Sequence, residues 1–321
     1  MSFRKLILIF SAFAALAISC KKDDDGVVKP GLTGTMQITG LPEFIAPGQR
    51  CTLTVKGATH PEGKELNYFW KILPTQTKYD TTYTSTNYIH TFADTLCTFT
   101  VYCYAYAEGY SSNSTYVYTS TMRAGRNGSI TGVDYPTEMV KDQYVAKIGN
   151  QTWTVNNVSE PAYGEGFRNS EIMSGIFGRY YNYNEAIEAC NSLGQGWTLP
   201  TLEDWQELET YVEANKGTSK TIAAALMGNA SLNGTVMWDY WPAVGEITNT
   251  SEFAALPVGY ANLASNIFEG LYEYSIFWTA TTNPTNESMA YYKYMIYNQP
   301  DVYVGSADKD SFGASVRCIR K

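Results

Sequence analysis

Between Thr35 and about Met122 the chain is written in short runs that alternate apolar and polar positions: Met36-Gln-Ile-Thr, Cys51-Thr-Leu-Thr-Val, Leu66-Asn-Tyr-Phe-Trp and the longer Cys97-Thr-Phe-Thr-Val-Tyr-Cys-Tyr-Ala. A period of two is what a strand needs when one face meets a core and the other meets water. Turn formers, Ala46-Pro-Gly and Pro61-Glu-Gly, separate the runs. This spacing predicts an all-β sandwich over 35–124. Residues 124–140 carry Gly125, Gly128, Gly132 and Pro136 with no apolar period, so a boundary falls there.

The remainder, 125–321, has another texture. Ala186, Cys190 and Leu193 recur at helical spacing after the capping residue Asn184, and Gly194 supplies a left-handed stop, which predicts a helix over 184–193. A second helix opens at Thr201, with Asp204 placed to complete a capping box. It shows Leu202, Trp205, Leu208 and Val212 on one face and ends at Gly217. Strand-like runs close the chain: Ile276-Phe-Trp-Thr-Ala-Thr, Ala290-Tyr-Tyr-Lys-Tyr-Met-Ile-Tyr and Ala314-Ser-Val-Arg-Cys-Ile. Helices first and strands last predict an α+β domain with an antiparallel sheet.

A chain of 321 residues is long enough for two such domains. Only 17% of it is charged, and the net charge of −8 comes without a Lys/Arg stripe able to neutralise phosphates, which argues against a nucleic-acid partner. The N-terminus changes the picture more. Arg4 and Lys5 precede an apolar stretch, Leu6 to Ile18, that is short for a bilayer span, and Ala17-Ile18-Ser19 leads into Cys20. Residues 1–19 therefore read as a signal peptide whose end resembles a bacterial lipobox. The resemblance implies cleavage before Cys20 and its lipidation, hence a membrane partner through a lipid anchor. Lys21-Lys22-Asp23-Asp24-Asp25 is by itself a solvated charge run. It is similar to the acidic export signal of Bacteroidetes surface lipoproteins, which implies the outer membrane and the cell exterior. Residues 20–34 are then an acidic and Gly/Pro linker.

The region 35–124 resembles PKD-type or immunoglobulin-like modules in pattern, and the resemblance implies that Trp70 is the core aromatic of a central strand. In such a sandwich Cys51 and Cys97 head strands that run alike in facing sheets, which favours that pair, with Cys103 as the competing partner. In the C-terminal half, Ile148-Gly-Asn-Gln-Thr-Trp, Gly178-Arg-Tyr-Tyr-Asn-Tyr, Gly196-Trp-Thr-Leu-Pro-Thr-Leu-Glu-Asp-Trp, Phe253-Ala-Ala-Leu-Pro-Val-Gly-Tyr, Phe277-Trp-Thr-Ala-Thr and Ser315-Val-Arg-Cys-Ile-Arg follow one another. This order resembles the Fibrobacter succinogenes major paralogous domain, which looks like a branch of the C-type lectin-like fold related to the formylglycine-generating enzymes. The resemblance implies a bridge between Cys190 on the first helix and Cys318 on the last strand.

Catalytic equipment is scarce. With Cys190 and Cys318 taken up by that bridge, no cysteine of the second domain is left for the copper-binding pair of the formylglycine-generating relatives, and His60 and His90 both lie in the first domain. Glu203 and Asp204 have a capping reason to exist at a helix start. Gln299-Pro-Asp superficially resembles a lectin sugar-binding triplet, but the second calcium motif is missing, so Asp301, Asp308 and Asp310 read as turn residues. No metal, cofactor or catalytic residue is expected. What remains is a recognition surface: Tyr291, Tyr292, Tyr294, Tyr297, Asn298, Asp301 and Tyr303, residue types that binding loops favour. About half of these tyrosines should pack inward. The segment also resembles the variable region of lectin-like proteins diversified by retroelements. The expected function is a surface head that binds a glycan or protein ligand without catalysis. A fimbrial or structural subunit is the first alternative and an enzyme the second. Asp80-Thr-Thr and Asp94-Thr-Leu resemble a Bacteroidetes O-glycosylation motif.

Overall fold

A computed structural model of the protein describes residues 29–75 and 85–321. The expected leader 1–19, the lipidation site Cys20, the acidic run and Asp80-Thr-Thr lie outside the described residues. The chain is mostly β-sheet with few helices. It divides into two compact units: the chain up to Leu41 with Thr52–His90 and Thr100–Val117, and Pro42–Cys51 with Thr91–Phe99 and Tyr118–Lys321. Among the described residues no helix is long and apolar enough to cross a membrane.

Strands β1 (Gln37–Thr39), β2 (Phe44–Ile45), β3 (Arg50–Lys56), β4 (Asn67–Leu73), β5 (Asn87–Thr91), β6 (Thr98–Tyr106) and β7 (Asn113–Thr121) form two sheets, ordered β1-β3-β5 and β2-β7-β6-β4. The period of two is kept: Cys51, Leu53 and Val55 of β3, Tyr68, Trp70 and Ile72 of β4, and Phe99, Val101, Cys103 and Ala105 of β6 are the buried positions. Trp70 is fully buried and stacks on Tyr88 at 5.4 Å, but from β4, the edge of its sheet rather than the centre.

The expected Cys51–Cys97 bridge is not formed; Cys51, Cys97 and Cys103 are free thiols. Cys97 lies ahead of β6, half-buried, with Thr95 Oγ1 at 3.5 Å from its sulfur and its N–H donated to Thr121 Oγ1 at 3.0 Å. Cys51 faces inward with Gln49 Nε2 at 3.9 Å from its sulfur. Burial pushes the Cys103 thiol up to about 12 and keeps it protonated.

Further along, β8 (Ile130–Thr131), β9 (Met139–Val140), β10 (Gln143–Ile148), β11 (Gln151–Thr154) and β12 (Glu165–Gly166) precede α1 (Glu171–Phe177). Strand β13 (Arg179–Tyr180) leads to α2 (Tyr183–Asn191), α3 (Leu202–Asn215) and α4 (Ile222–Leu226). Then come β14 (Ser231–Leu232), β15 (Thr235–Val236), β16 (Tyr260–Asn262), β17 (Ile267–Glu269), β18 (Tyr274–Thr282), β19 (Met289–Ile296), β20 (Tyr303–Asp308), β21 (Phe312–Gly313) and β22 (Ile319–Arg320). Sheets β18-β19-β20 and β17-β16-β21 are antiparallel.

Strand β18 is buried without interruption from Ser275 to Thr279 because both of its faces are covered. Phe277 joins a core with Trp153, Phe253 and the α3 residues Trp205, Leu208 and Val212. Ile276 and Trp278 join another with Tyr183, Ala186 and Cys190 of α2. Helix α2 starts earlier than its pattern predicts. Asn182, not Asn184, is the cap: its side chain accepts from the Glu185 N–H at 2.9 Å, and Glu185 accepts the Asn182 N–H at 3.0 Å. The terminal run is strand only at Ile319–Arg320, with single bridges from Ala314 to Tyr181 and from Ser315 to Phe277.

Candidate functional site

The Trp-Thr-Leu-Pro-Thr corner holds no free acid at its centre. The Thr201 hydroxyl accepts from the Asp204 N–H at 3.2 Å, while Asp204 Oδ2 accepts the Thr201 N–H at 2.9 Å and hydroxyl at 3.1 Å. Its other oxygen, Oδ1, pairs with Lys321 Nζ at 2.6 Å. Glu203 is exposed on the first turn of α3, where the helix dipole favours it. The capping reading therefore accounts for the bonds of Asp204. Cys190 and Cys318 are joined, with Cα atoms 5.4 Å apart, tying α2 to the segment before β22.

One residue earlier, Arg317 is wholly buried. It donates from Nε to Asn157 Oδ1 at 2.9 Å, from Nη1 to the Thr154 and Phe253 carbonyls at 3.2 and 2.7 Å, and from Nη2 to the Ala254 carbonyl at 3.0 Å. The Phe253 and Phe277 rings lie 4.8 and 5.3 Å from its guanidinium carbon. Burial lowers its pKa to about 9, which leaves it charged at neutral pH.

Strand alternation decides the fate of the expected tyrosines. On β19, Tyr292 and Tyr294 share the face that α2 covers in part, opposite Trp278 and Ile276 of β18 and Gly305 and Tyr303 of β20. Tyr303 and Tyr294 have ring centroids 5.5 Å apart, and Tyr294 and Tyr292 5.7 Å. All three are half-buried. Tyr291 falls on the other face with Lys293, whose ammonium is buried against α3 and pairs with Glu209 at 2.5 Å. Tyr297 leaves the group too; it packs on Trp241 at 6.1 Å. Asn298 and Asp301 stand in the β19–β20 turn. There Gln299 Oε1 accepts from the Tyr303 hydroxyl at 3.3 Å, and the Pro300 carbonyl accepts from the Ala223 N–H at 3.1 Å at the start of α4. Asp308 Oδ1 accepts from the Asp310 and Ser311 N–H groups and the Ser311 hydroxyl, as a turn residue does, and these bonds lower its pKa. Among the described residues no His, Cys, Asp or Glu cluster suits a metal ion.

The strip extends through residues that the sequence reading did not single out. Phe312 of β21 stacks on Tyr292 at 5.1 Å, Tyr260 of β16 stacks on Phe312 at 5.5 Å, and Tyr274 lies 6.3 Å from Tyr260. The Tyr260 hydroxyl donates to Glu269 Oε2 at 3.0 Å, and burial followed by that bond raises Tyr260 to about 12. Burial, reinforced by the Asp301 charge, raises Tyr303 as well. The aromatic pattern of Tyr260-Ala and Tyr272-Glu-Tyr274 was visible in the sequence; its adjacency to β19 was not.

Fold and site define a β-rich chain of two units whose larger unit is closed by a disulfide and shows an aromatic strip on a sheet. The family described as the Fibrobacter succinogenes major domain matches residues 146–320, more than half of the chain, and the chain belongs to that family. No curated protein matches it. Among solved structures, chicken CNTN1 FN1-FN3 domains are similar at 14% identity and TM-score 0.21 over 42% of this chain and 47% of that one, so the chain spans about half of that relative's length. The Yersinia pseudotuberculosis adhesin InvE is similar at 12% identity and TM-score 0.27 over 91% of this chain and 71% of that one. No functional conclusion rests on either likeness.

Proposed function

We propose that the chain is a lipoprotein of the outer cell surface that binds a glycan or protein ligand without catalysis. Lipid on Cys20 anchors it in the outer membrane, residues 20–34 are a linker, 35–124 an immunoglobulin-like spacer, and 125–321 a C-type lectin-like α+β head. The bridge between α2 and the C-terminal segment supports the lectin-like reading. One observation carries the binding reading: Tyr292, Tyr294 and Tyr303, from two strands, stand ring against ring on one half-covered sheet face. Tyrosines so placed offer contact area with little rotamer entropy left to lose. The test is binding of the full chain to immobilised glycans and proteins, with Tyr294→Ala and Tyr303→Ala beside the parent. The proposal expects saturable binding that both variants weaken; binding that neither changes, or none, counts against it. In cells, Cys20→Ser should move the chain from the membrane to the soluble fraction, and retention in the membrane contradicts the anchor.

A further inference from the structure

The aromatic strip is built into the backbone. Gly305 of β20 lies under Tyr292, where a Cβ would stand 2.2 Å from the ring's Cζ and 2.4 Å from its hydroxyl. Gly270, with φ of +72°, leaves the room that the Tyr274 ring occupies, 2.8 Å from the site of a Cβ. The rings are thus laid down in gaps left by glycine on neighbouring chain. Contact with one another and with the Trp278 core fixes them further. Strips fixed before binding lose little entropy when a ligand arrives.

The surface chemistry narrows the ligand. Half-buried tyrosines combine an apolar ring with a polar hydroxyl, which suits a molecule with an apolar face and a polar perimeter. A nucleobase also stacks on such rings. However, the charge that bonds to them is a carboxylate, Glu269 on the Tyr260 hydroxyl, and a second, Asp301, stands two residues from Tyr303. In a chain of net charge −8 they repel phosphates and acidic sugars. A pyranose ring, with C–H groups on its faces and hydroxyls at its rim, fits both demands.

Building on the ligand-binding reading above, we propose that the strip Tyr303–Tyr294–Tyr292–Phe312–Tyr260 binds a neutral oligosaccharide. Sugar faces stack on the rings, and Glu269 accepts from a sugar hydroxyl while it holds Tyr260. Calorimetric titration of the full chain with cello-, manno-, xylo- and chito-oligosaccharides, and with polygalacturonate as the acidic probe, tests this. The expected result is saturable binding of at least one neutral probe, no binding of polygalacturonate, and a loss of about tenfold or more in Phe312→Ala, the scale of one lost stacking contact. Glu269→Gln, which keeps size and backbone, is expected to weaken binding also, so the outcome does not hang on how well the Phe312 variant folds. Neutral binding unchanged in both variants, or a preference for polygalacturonate, overturns the proposal. If no oligosaccharide binds but a protein ligand is weakened by Tyr294→Ala, the sugar assignment fails and the ligand-binding head stands. If nothing binds, both fail.

Discussion

Wholly buried, Arg317 spends its donors on an amide oxygen and three backbone carbonyls, those of Thr154, Phe253 and Ala254. Ala254 has a φ of +53°, a conformation an alanine adopts at a cost, and its own N–H is fixed by Asn249 Oδ1 at 2.8 Å. The guanidinium thus stitches the Phe253-Ala-Ala-Leu-Pro segment to the closing segment. Arg317→Met leaves buried carbonyls without donors and should cost about 3 kcal/mol or more, read as a shift of the urea midpoint. Arg317→Lys should recover little, because one ammonium cannot span the partners of a planar fork. A lysine variant as stable as the parent contradicts this account. Sequence showed the Val-Arg-Cys motif but not its partners, three of which are backbone carbonyls from distant segments. The Thr201–Asp204 capping box was legible because it is local. The Asn182 cap was missed although Glu185, three residues on, marked it over Asn184.

Between elements, buried Lys293 on β19 pairs with Glu209 on α3 at 2.5 Å. Burial raises the Glu209 pKa, and Lys293 works against the rise. A carboxyl raised in the folded state favours folding in its protonated form, so the stability contribution of Glu209 falls as pH climbs from the unfolded carboxylate range through the raised value. Lys293→Met should remove the counter-charge and cost about 3 kcal/mol at neutral pH, the low end for a broken buried pair because Glu209 retains some exposure. The deficit should shrink when melting is followed from pH 7 down to pH 4, as Glu209 takes up its proton. A deficit that is flat across that range refutes the pairing energetics. Tyr-Tyr-Lys-Tyr-Met gave no hint that the lysine would face inward, since the pattern was dominated by aromatics on both faces. The amphipathic stripe of α3 was plain, because its apolar residues recur at helical spacing. The Cys190–Cys318 bridge closes a separation of 128 residues and should contribute on the order of 4 to 5 kcal/mol through loop entropy. Reduction should therefore lower the thermal midpoint of the protein, and an unchanged midpoint contradicts this contribution.

Across the whole molecule, the alternating runs up to Met122 and the helices α2 and α3 were readable, because each is a local period, whereas the short strands β8 to β13 that precede and interrupt the helices were not, and the expected order of helices first and strands last does not hold. The sandwich thiols were not readable. Their pairing depends on where a turn places Cys97, which no period records. The aromatic strip was half readable: Tyr292, Tyr294 and Tyr303 share a strand ladder, whereas Phe312 and Tyr260 reach it through the separate β17-β16-β21 sheet. The central claim is that one face of β19 recognises a ligand, and neighbouring tyrosines on opposite faces test it most directly. With any ligand that the full chain binds saturably, Tyr292→Leu should weaken affinity by about tenfold or more, as loss of a stacking ring does, while Tyr291→Leu leaves it within about twofold. Equal losses in the two variants, or a loss confined to Tyr291→Leu, contradict the account.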